Sequence, residues 1–265
     1  MKVIVQVWTQ SCVNAPQTET DNFWGIGDFI RGTIQLYLLS KELGFEFYVD
    51  TTLHPMSKFL LTTDNPYRHI VHANKDNINL LPAHVDLKNI IAGFQDGLYM
   101  FFTNAHCDRP ITQECKEFIK SILKPIPSLE NELNTIPLKS YEIMHLRLGD
   151  QELIKDISRN ISPDIIKLIQ DNKSSNTLLI SDSASIKKCP EAIDGLYVTN
   201  SIPKHTGRCK DSDSIKDTLV DFLLVSRSTN IKTYSCYSWV SGFIYWAHII
   251  YNIPIIELNT FHKSS

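Results

Sequence analysis

Short apolar segments alternate with segments of helical periodicity throughout the second half of the chain, and this alternation limits the fold more than any other feature. Five strands are predicted there, at residues 141–147, 178–180, 196–199, 231–234 and 254–258. Ser162 followed by Pro163 predicts a helix start, since serine caps helices and proline fits the first helical position. Strands that alternate with helices form parallel sheets that are covered on both faces. The sequence therefore predicts an α/β fold.

The N-terminal region begins with the same kind of unit. An opening strand at residues 3–7 is followed by a turn, a helix and a second strand. Gly25 and Gly27 are predicted to form a tight turn, and Asp28 to cap the helix, because its carboxylate can accept amide hydrogens of the first turn. Ile30 holds the third glycine position of the GxGxxG fingerprint, so a Rossmann dehydrogenase is disfavoured.

The middle of the chain gives weaker signals. Strands are predicted at residues 67–71 and 98–103, and a helix at residues 111–123. Residues 124–140 are rich in proline and polar residues, which marks a seam between two halves. We therefore expect two domains, residues 1–138 and residues 139–265.

The composition limits the classes of partner. The chain has 265 residues, of which 43% are apolar and 21% charged, an ordinary balance for a globular protein. The net charge is −3 and no run is rich in Lys or Arg, so no nucleic-acid partner is indicated. The apolar segment at residues 239–250 is too short for a membrane span. We expect a soluble, cytoplasmic protein without a targeting segment.

The cysteines carry no metal-binding pattern. None of the six lies in a CxxC pair, and no Cys/His set has zinc-ligand spacing, so no metal site is predicted. Scattered, reduced thiols in a cytosolic protein are the simplest interpretation. The sequence leaves open a disulfide between Cys189 and Cys209.

Residues 141–150, YEIMHLRLGD, carry the strongest chemical signal. His145 and Arg147 lie on one face of a buried strand. A guanidinium on an apolar strand needs an anion, because burying it unpaired is costly. Two interpretations stay open: a structural salt bridge with Asp150 or Asp182, or a clamp for phosphate oxygens, which suit the planar fork of arginine.

Two further groups of polar residues accompany this strand. Asp221 is the one charge in the apolar run LVDFLLV, and it either faces solvent from a helix or accepts hydrogen bonds from a ligand such as the edge of guanine. Tyr237 and Ser238 lie where YSCYSW is predicted to open the last long helix, and hydroxyls and amides at a helix start suit a pyrophosphate. A simple serine cap is the alternative for Ser238.

These stretches, taken in order, resemble the fucosyltransferase superfamily, which contains the α1,6-, α1,2- and protein O-fucosyltransferases. HLRLGD is similar to its H-x-R motif, the turn at Gly25 and Gly27 to its N-terminal glycine loop, and LLISDSASIKK to its strand that ends in a Thr/Ser–Asp pair. Residues 218–250 resemble its last motif, which is a helix with an aspartate, a strand and a serine-bearing helix start. The resemblance is patchy over residues 51–140.

The resemblance implies a GT-B-like α/β fold, with two Rossmann-like domains whose parallel sheets face a cleft, residues 1–138 on the acceptor side and residues 139–265 on the nucleotide-sugar side. It also implies an inverting, metal-independent transfer of L-fucose from GDP-fucose to a glycan hydroxyl, with no cofactor besides the donor substrate. Arg147 would hold the β-phosphate, and His145 and Asp221 would contact guanine. The remaining donor-site residues that the resemblance implies are Gly25, Gly27, Asp182, Tyr237 and Ser238.

The resemblance leaves the catalytic base open. The α1,6 enzymes carry a glutamate several residues beyond the arginine, but that position here falls near Lys155. Asp150, Glu152 and Asp28 are the candidates for the group that deprotonates the acceptor hydroxyl. Two rival functions also stay open: a GT-B glycosyltransferase that uses another nucleotide sugar, and a non-catalytic relative that binds a nucleotide or a glycan.

Overall fold

The computed structural model describes residues 1–10, 25–106, 108–149, 158, 160–202, 204–207, 209 and 211–258. The chain divides into two compact units, which we call unit 1 and unit 2. Unit 1 comprises Met1–Pro127 and Thr206–Arg208, and unit 2 comprises Ser128–His205 and Cys209–Ser265. Among the helices of the described residues, none combines the length and the apolar character that crossing a membrane requires.

Unit 1 is built on a parallel sheet of four strands. The strands are β1 (Lys2–Val7), β2 (Glu46–Asp50), β3 (Asn79–Leu81) and β4 (Gly97–Thr103), in the spatial order β2-β1-β4-β3. The helices are α1 (Ile26–Leu43), α2 (Arg68–Ala73), α3 (Leu87–Ala92) and α4 (Gln113–Ile122). Ile4 of β1, Leu36 and Leu39 of α1 and Phe101 of β4 belong to one buried cluster, which joins α1 to the sheet.

The close packing of α1 against β4 depends on Gly32. A Cβ atom at this position would overlap the backbone carbonyl of Thr103, the last residue of β4. The helix can lie this close to the strand only because residue 32 has no side chain.

The start of α1 differs from the prediction. Gly25 is the N-cap and Gly27 is already helical, so the two glycines do not form a separate tight turn. The carbonyl oxygen of Gly25 accepts hydrogen bonds from the amides of Asp28 and Phe29, so helical hydrogen bonding begins there and Asp28 lies inside the first turn. The prediction that Asp28 caps the helix is therefore wrong.

The strand predicted at residues 67–71 is also wrong, because this segment forms α2. The side-chain carbonyl of Asn65 accepts the amide of Tyr67 at 3.0 Å, which turns the chain just before the helix. Such a local side-chain bond competes with extended structure, and the apolar pair Ile70–Val71 is too short to signal helical periodicity.

Unit 2 is built on a parallel sheet of five strands. The strands are β5 (Glu142–Arg147), β6 (Thr177–Ser181), β7 (Tyr197–Val198), β8 (Asn230–Ser235) and β9 (Ile255–Glu257). The helices are α5 (Pro127–Leu133), α6 (Pro163–Asn172), α7 (Pro190–Ile193), α8 (Ser212–Val225) and α9 (Gly242–Tyr251). The order of strands is β7-β6-β5-β8-β9, and every neighbouring pair is parallel.

Unit 2 confirms the features predicted most directly from local sequence. Ser162 is the N-cap of α6, and its hydroxyl accepts the amide of Ile165 at 3.3 Å. The predicted α/β fold with parallel sheets is confirmed in both units. Cys189 is a free cysteine, so the disulfide with Cys209 that the sequence left open is absent.

Candidate functional site

The strand order of unit 2 marks one position on the sheet edge. Successive strands run outward from β5 to β7 on one side, and β8 and β9 continue on the other side of β5. In open α/β sheets, ligands bind outside the carboxyl ends of the strands where the order reverses, which here is between β5 and β8. Arg147 ends β5, and Tyr237 and Ser238 follow β8 at the same edge. This edge is therefore the candidate site.

Arg147 is held by Asp182, which follows the neighbouring strand β6. Its Nη1 donates to Oδ2 of Asp182 at 2.5 Å, and the two side chains are 17% and 7% exposed. The amides of Leu148 and Gly149 donate to Oδ1 and Oδ2 of the same carboxylate at 2.7 and 3.0 Å. Of the two salt bridges that the sequence left open for Arg147, the one with Asp182 is present.

The loop after β5 has a shape that needs glycine. Gly149 has a φ of 109°, which L residues with a side chain rarely adopt. This conformation lets the amides of Leu148 and Gly149 point at one carboxylate, so the loop forms an anion-binding concavity that Asp182 occupies. Burial raises the pKa of Asp182, and the Arg147 guanidinium and the two amides oppose that rise. Charge and hydrogen bonding thus offset only a part of the desolvation of this carboxylate.

His145 lies two residues before Arg147, on the same face of β5. It is 4% exposed, its Nδ1 is 3.0 Å from the hydroxyl of Thr233, and its ring lies parallel to Phe243, with 6.2 Å between centroids. Burial first, and the charge of Arg147 second, lower the pKa of His145 to about 3. The imidazole is therefore neutral at pH 7 and can offer one donor and one acceptor.

The segment between β8 and α9 bends at its start and is not helical. The predicted helix start at YSCYSW is wrong, since α9 begins only at Gly242. The amide of Cys236 donates to the carbonyl of Arg147 at 2.8 Å, and the amide of Tyr237 donates to Oγ of Ser235 at 3.2 Å. The first bond continues the pairing with β5 by one residue, and the second is a local side-chain bond that competes with helical hydrogen bonding. Ser238 is exposed and therefore accessible to a ligand.

Tyr237 brings an aromatic ring to Arg147. The guanidinium carbon lies 5.7 Å from the centroid of the Tyr237 ring, within the range of a cation–π contact. Tyr237 and Ser238, which the sequence assigned to the donor site, are thus brought to the edge that carries Arg147 and Asp182.

Asp221 lies inside unit 2 rather than on a solvent-facing side of α8, so the solvent-facing alternative is wrong. The residue is 1% exposed, and its Oδ1 accepts from the hydroxyls of Ser201 at 2.8 Å and Thr199 at 3.4 Å. Lys187 lies 3.8 Å from Oδ2. Burial raises the pKa of Asp221, and Lys187 and Ser201 oppose that rise.

Lys187 was not singled out by the sequence, and neither were Thr199 and Ser201. The ammonium donates to Oγ1 of Thr199 at 3.1 Å, and to the carbonyl and the hydroxyl of Ser201 at 2.9 and 2.7 Å. These bonds use all three donors of a lysine. Oδ2 of Asp221 consequently has no hydrogen-bond donor within the described residues. A lysine and an aspartate this far apart in the sequence carry no signal that pairs them.

The predicted residues of unit 1 lie at the start of α1. Oδ1 of Asp28 accepts from Arg31 at 3.0 Å. Burial raises the pKa of Asp28, and Arg31 and the side chain of Asn104 oppose that rise. Asp150 and Glu152, the other two candidates for the base, lie outside the described residues. No group of three or more His, Cys, Asp or Glu side chains suited to a metal ion occurs in the part of the chain that the structure describes.

Two sequence comparisons found no match: no protein-family model matches this chain, and no curated protein does. The fold is nevertheless similar to solved structures. NodZ α-1,6-fucosyltransferase soaked with GDP-fucose has a TM-score of 0.54 at 13% identity, over 97% of this chain and 94% of that chain. NodZ co-crystallised with GDP has a TM-score of 0.56 at 12% identity, over 97% and 94%.

A mutant of Arabidopsis thaliana FUT1 in complex with GDP is also similar, with a TM-score of 0.50 at 12% identity, over 97% of this chain and 70% of that chain. At these identities the likeness establishes the fold. The chain has the α/β, GT-B-like fold of these fucosyltransferases, with two parallel sheets, as the resemblance implied.

Proposed function

We propose that this protein is an inverting, metal-independent glycosyltransferase that transfers L-fucose from GDP-fucose to a hydroxyl of a glycan. The observation that carries the proposal is the position of Arg147, at the strand-order reversal of a fold shared with NodZ α-1,6-fucosyltransferase. NodZ has been soaked with GDP-fucose and co-crystallised with GDP. A guanidinium at that position suits the phosphate of a nucleotide sugar.

Arg147 stabilises the leaving group in this proposal. Breaking the bond between the sugar and the phosphate builds negative charge on GDP, and the planar guanidinium can bind two phosphate oxygens at once. Loss of one such preorganised contact typically costs ~3 kcal/mol, or about a hundredfold in rate. The β-phosphate replaces Asp182 at Nη1, so the guanidinium exchanges one anion for another without being left unpaired.

The buried polar residues of unit 2 bind guanine, the nucleobase of the donor. Oδ2 of Asp221 is an acceptor without a donor among the described residues, which matches the N1–H and N2–H₂ donors of guanine. Neutral His145 supplies one further donor or acceptor. Tyr237 and Ser238 contact the pyrophosphate.

The transfer step conserves atoms and charge. The acceptor oxygen forms a bond with C1 of fucose while the bond from C1 to the β-phosphate oxygen breaks, and its electron pair leaves with GDP. The acceptor proton passes to a carboxylate, for which Asp28, Asp150 and Glu152 are the candidates. The raised pKa of Asp28 makes it a stronger proton acceptor than an ordinary aspartate.

The test combines binding and turnover. GDP, but not UDP, should raise the melting temperature, because a ligand that binds only the native state stabilises it. GDP-fucose should be consumed with a glycan or water as acceptor, in the presence of EDTA, by the wild type. Arg147→Ala should reduce the rate about a hundredfold, and Arg147→Lys, which keeps the charge but not the fork, by about tenfold or more.

Arg227→Ala is the matched control, since Arg227 is bound to Glu130 by a partly exposed ion pair in the same unit. Its rate should equal that of the wild type. Stabilisation by UDP alone would replace GDP-fucose with another nucleotide sugar. Binding of GDP-fucose without consumption would identify a non-catalytic binding protein. Either result overturns the proposal.

A further inference from the structure

Trp239 is an exposed aromatic side chain at the edge of the sheet that carries Arg147. It is 62% exposed, whereas Trp8 and Trp246, the other tryptophans that the structure describes, are 0% and 5% exposed. The indole follows β8 by four residues and lies in the non-helical segment before α9. Leaving so large an apolar surface in water is unfavourable, and an exposed aromatic at a sheet edge where ligands bind marks a contact surface.

The indole is held in place by Tyr237. The two rings are stacked, with 4.9 Å between centroids and 12° between planes. Tyr237 is itself fixed, since its amide donates to Oγ of Ser235 and its ring lies 5.7 Å from the guanidinium carbon of Arg147. Arg147, Tyr237 and Trp239 therefore form a ladder, which leads from the buried guanidinium to the solvent. Such prior ordering reduces the entropy lost on binding.

We propose that the indole of Trp239 is the platform on which the sugar ring of the nucleotide sugar lies. This inference rests on the proposed function. A pyranose ring has an apolar face of C–H groups, and the negative face of an aromatic ring attracts such partly positive hydrogens. In a nucleotide sugar the sugar is bonded directly to the β-phosphate, so a phosphate on Arg147 places the sugar a few ångströms beyond the guanidinium, where the ladder leads.

The exposed fractions of His145, Asp221 and Trp239 indicate which of them suits the sugar of the donor and which suit the base. His145 and Asp221, which the proposed function assigns to guanine, are 4% and 1% exposed, whereas Trp239 is 62% exposed. The transferred sugar must be reached by an acceptor from solvent, but the base needs no such access. The exposed end of the ladder therefore suits the sugar, and the buried polar pair suits the base.

The test compares GDP with GDP-fucose, because the two ligands differ only in the sugar. Calorimetric affinities are measured for the wild type, Trp239→Ala and Trp239→Phe. Trp239→Ala should weaken GDP-fucose about tenfold, as expected for the loss of a large aromatic contact, and should change GDP by less than about twofold. Trp239→Phe retains an aromatic face and should lose only part of that affinity. Tyr197→Ala removes another exposed ring of unit 2, which is 41% exposed on β7, and should change neither affinity.

Each other outcome overturns the sugar platform. Equal weakening of GDP and GDP-fucose by Trp239→Ala would mean that the indole contacts the nucleotide or orders the phosphate-binding segment. Unchanged affinity for both ligands would mean that the donor does not contact the indole. If the wild type binds neither ligand, the proposed function fails, and this result is distinct from a failure that is confined to the Trp239 variants.

Discussion

Asp182 binds Arg147 and the two residues after it through a single carboxylate. The guanidinium and the amide of Gly149 share Oδ2, at 2.5 and 3.0 Å, and the amide of Leu148 occupies Oδ1 at 2.7 Å. The residue that follows β6 thus determines both the direction of the guanidinium and the shape of the loop after β5. In the proposed enzyme, Asp182 positions the leaving-group clamp before the donor arrives.

Asp182→Asn tests this positioning. The amide keeps the shape of the side chain but can accept through one atom only, so the guanidinium and the loop lose part of their orientation. We expect turnover of GDP-fucose to fall about tenfold, while the affinity for GDP does not fall, because an anionic competitor of the phosphate has been removed. Steady-state rates and calorimetry check the two expectations. An equal loss of affinity and turnover would contradict the positioning role.

Lys187→Met tests the buried pair with Asp221. Removing one partner leaves a buried carboxylate without its nearest positive charge, which typically costs about 3–5 kcal/mol. We therefore expect a large loss in the free energy of unfolding, measured with urea at pH 7. The double variant Lys187→Met/Asp221→Asn should recover a part of this loss, since it has no uncompensated charge. A single variant as stable as the wild type would indicate that Asp221 is already neutral in the folded protein.

His54 predicts a dependence of stability on pH. Its ring is stacked on Trp8, its Nδ1 accepts the amide of Met56 at 3.1 Å, and Nε2–H donates to the carbonyl of Thr206 at 2.9 Å. Burial lowers the pKa of His54 from 6.5 to about 4. Below pH 6.5 the unfolded chain therefore binds a proton that the folded protein does not, and stability falls as the pH is lowered towards 4.

His54→Phe keeps a ring on Trp8 but cannot titrate. The raised pKa values of Asp28, Asp182 and Asp221 act in the opposite sense, so the comparison uses the difference between the variant and the wild type. The destabilisation caused by His54→Phe should be smaller at pH 5 than at pH 7 by about 2 kcal/mol. Urea unfolding at the two pH values measures it. If the difference in the free energy of unfolding between variant and wild type is the same at pH 5 and pH 7, His54 is protonated as readily in the folded protein as in the unfolded chain.

Gly32→Ala tests the approach of α1 to β4. The added methyl group overlaps the backbone carbonyl of Thr103, so the helix must shift, and overpacking of this kind typically costs about 1–3 kcal/mol. Gly93→Ala is the matched control, since the atoms nearest to its added Cβ are 3.6 and 3.7 Å away. It should be neutral or stabilising by up to about 1 kcal/mol. Equal free energies of unfolding for the two variants would contradict the close approach.

Much of the fold was predictable because its signals are local. The apolar run of β5 with Arg147 at its end, and the Ser162–Pro163 start of α6, act within one strand or one helical turn. Residues 67–71 were predicted wrongly because Asn65 contributes a side-chain bond that composition does not reveal. The start of α9 was misplaced because the amide of Cys236 continues the pairing with β5 and the hydroxyl of Ser235 accepts the amide of Tyr237.

The sequence alone determined that Arg147 needs an anionic partner, because burying an unpaired guanidinium is costly wherever it lies. It also determined the α/β class, since the period of apolar residues depends only on local backbone geometry. Only the tertiary structure decided which anion Arg147 meets, that Lys187 lies beside Asp221, and that Tyr237 and Trp239 stack next to the guanidinium. Apart from the Tyr237–Trp239 stack, these contacts join residues that are distant in the sequence, and only the assembly of strands and helices in unit 2 brings such residues together.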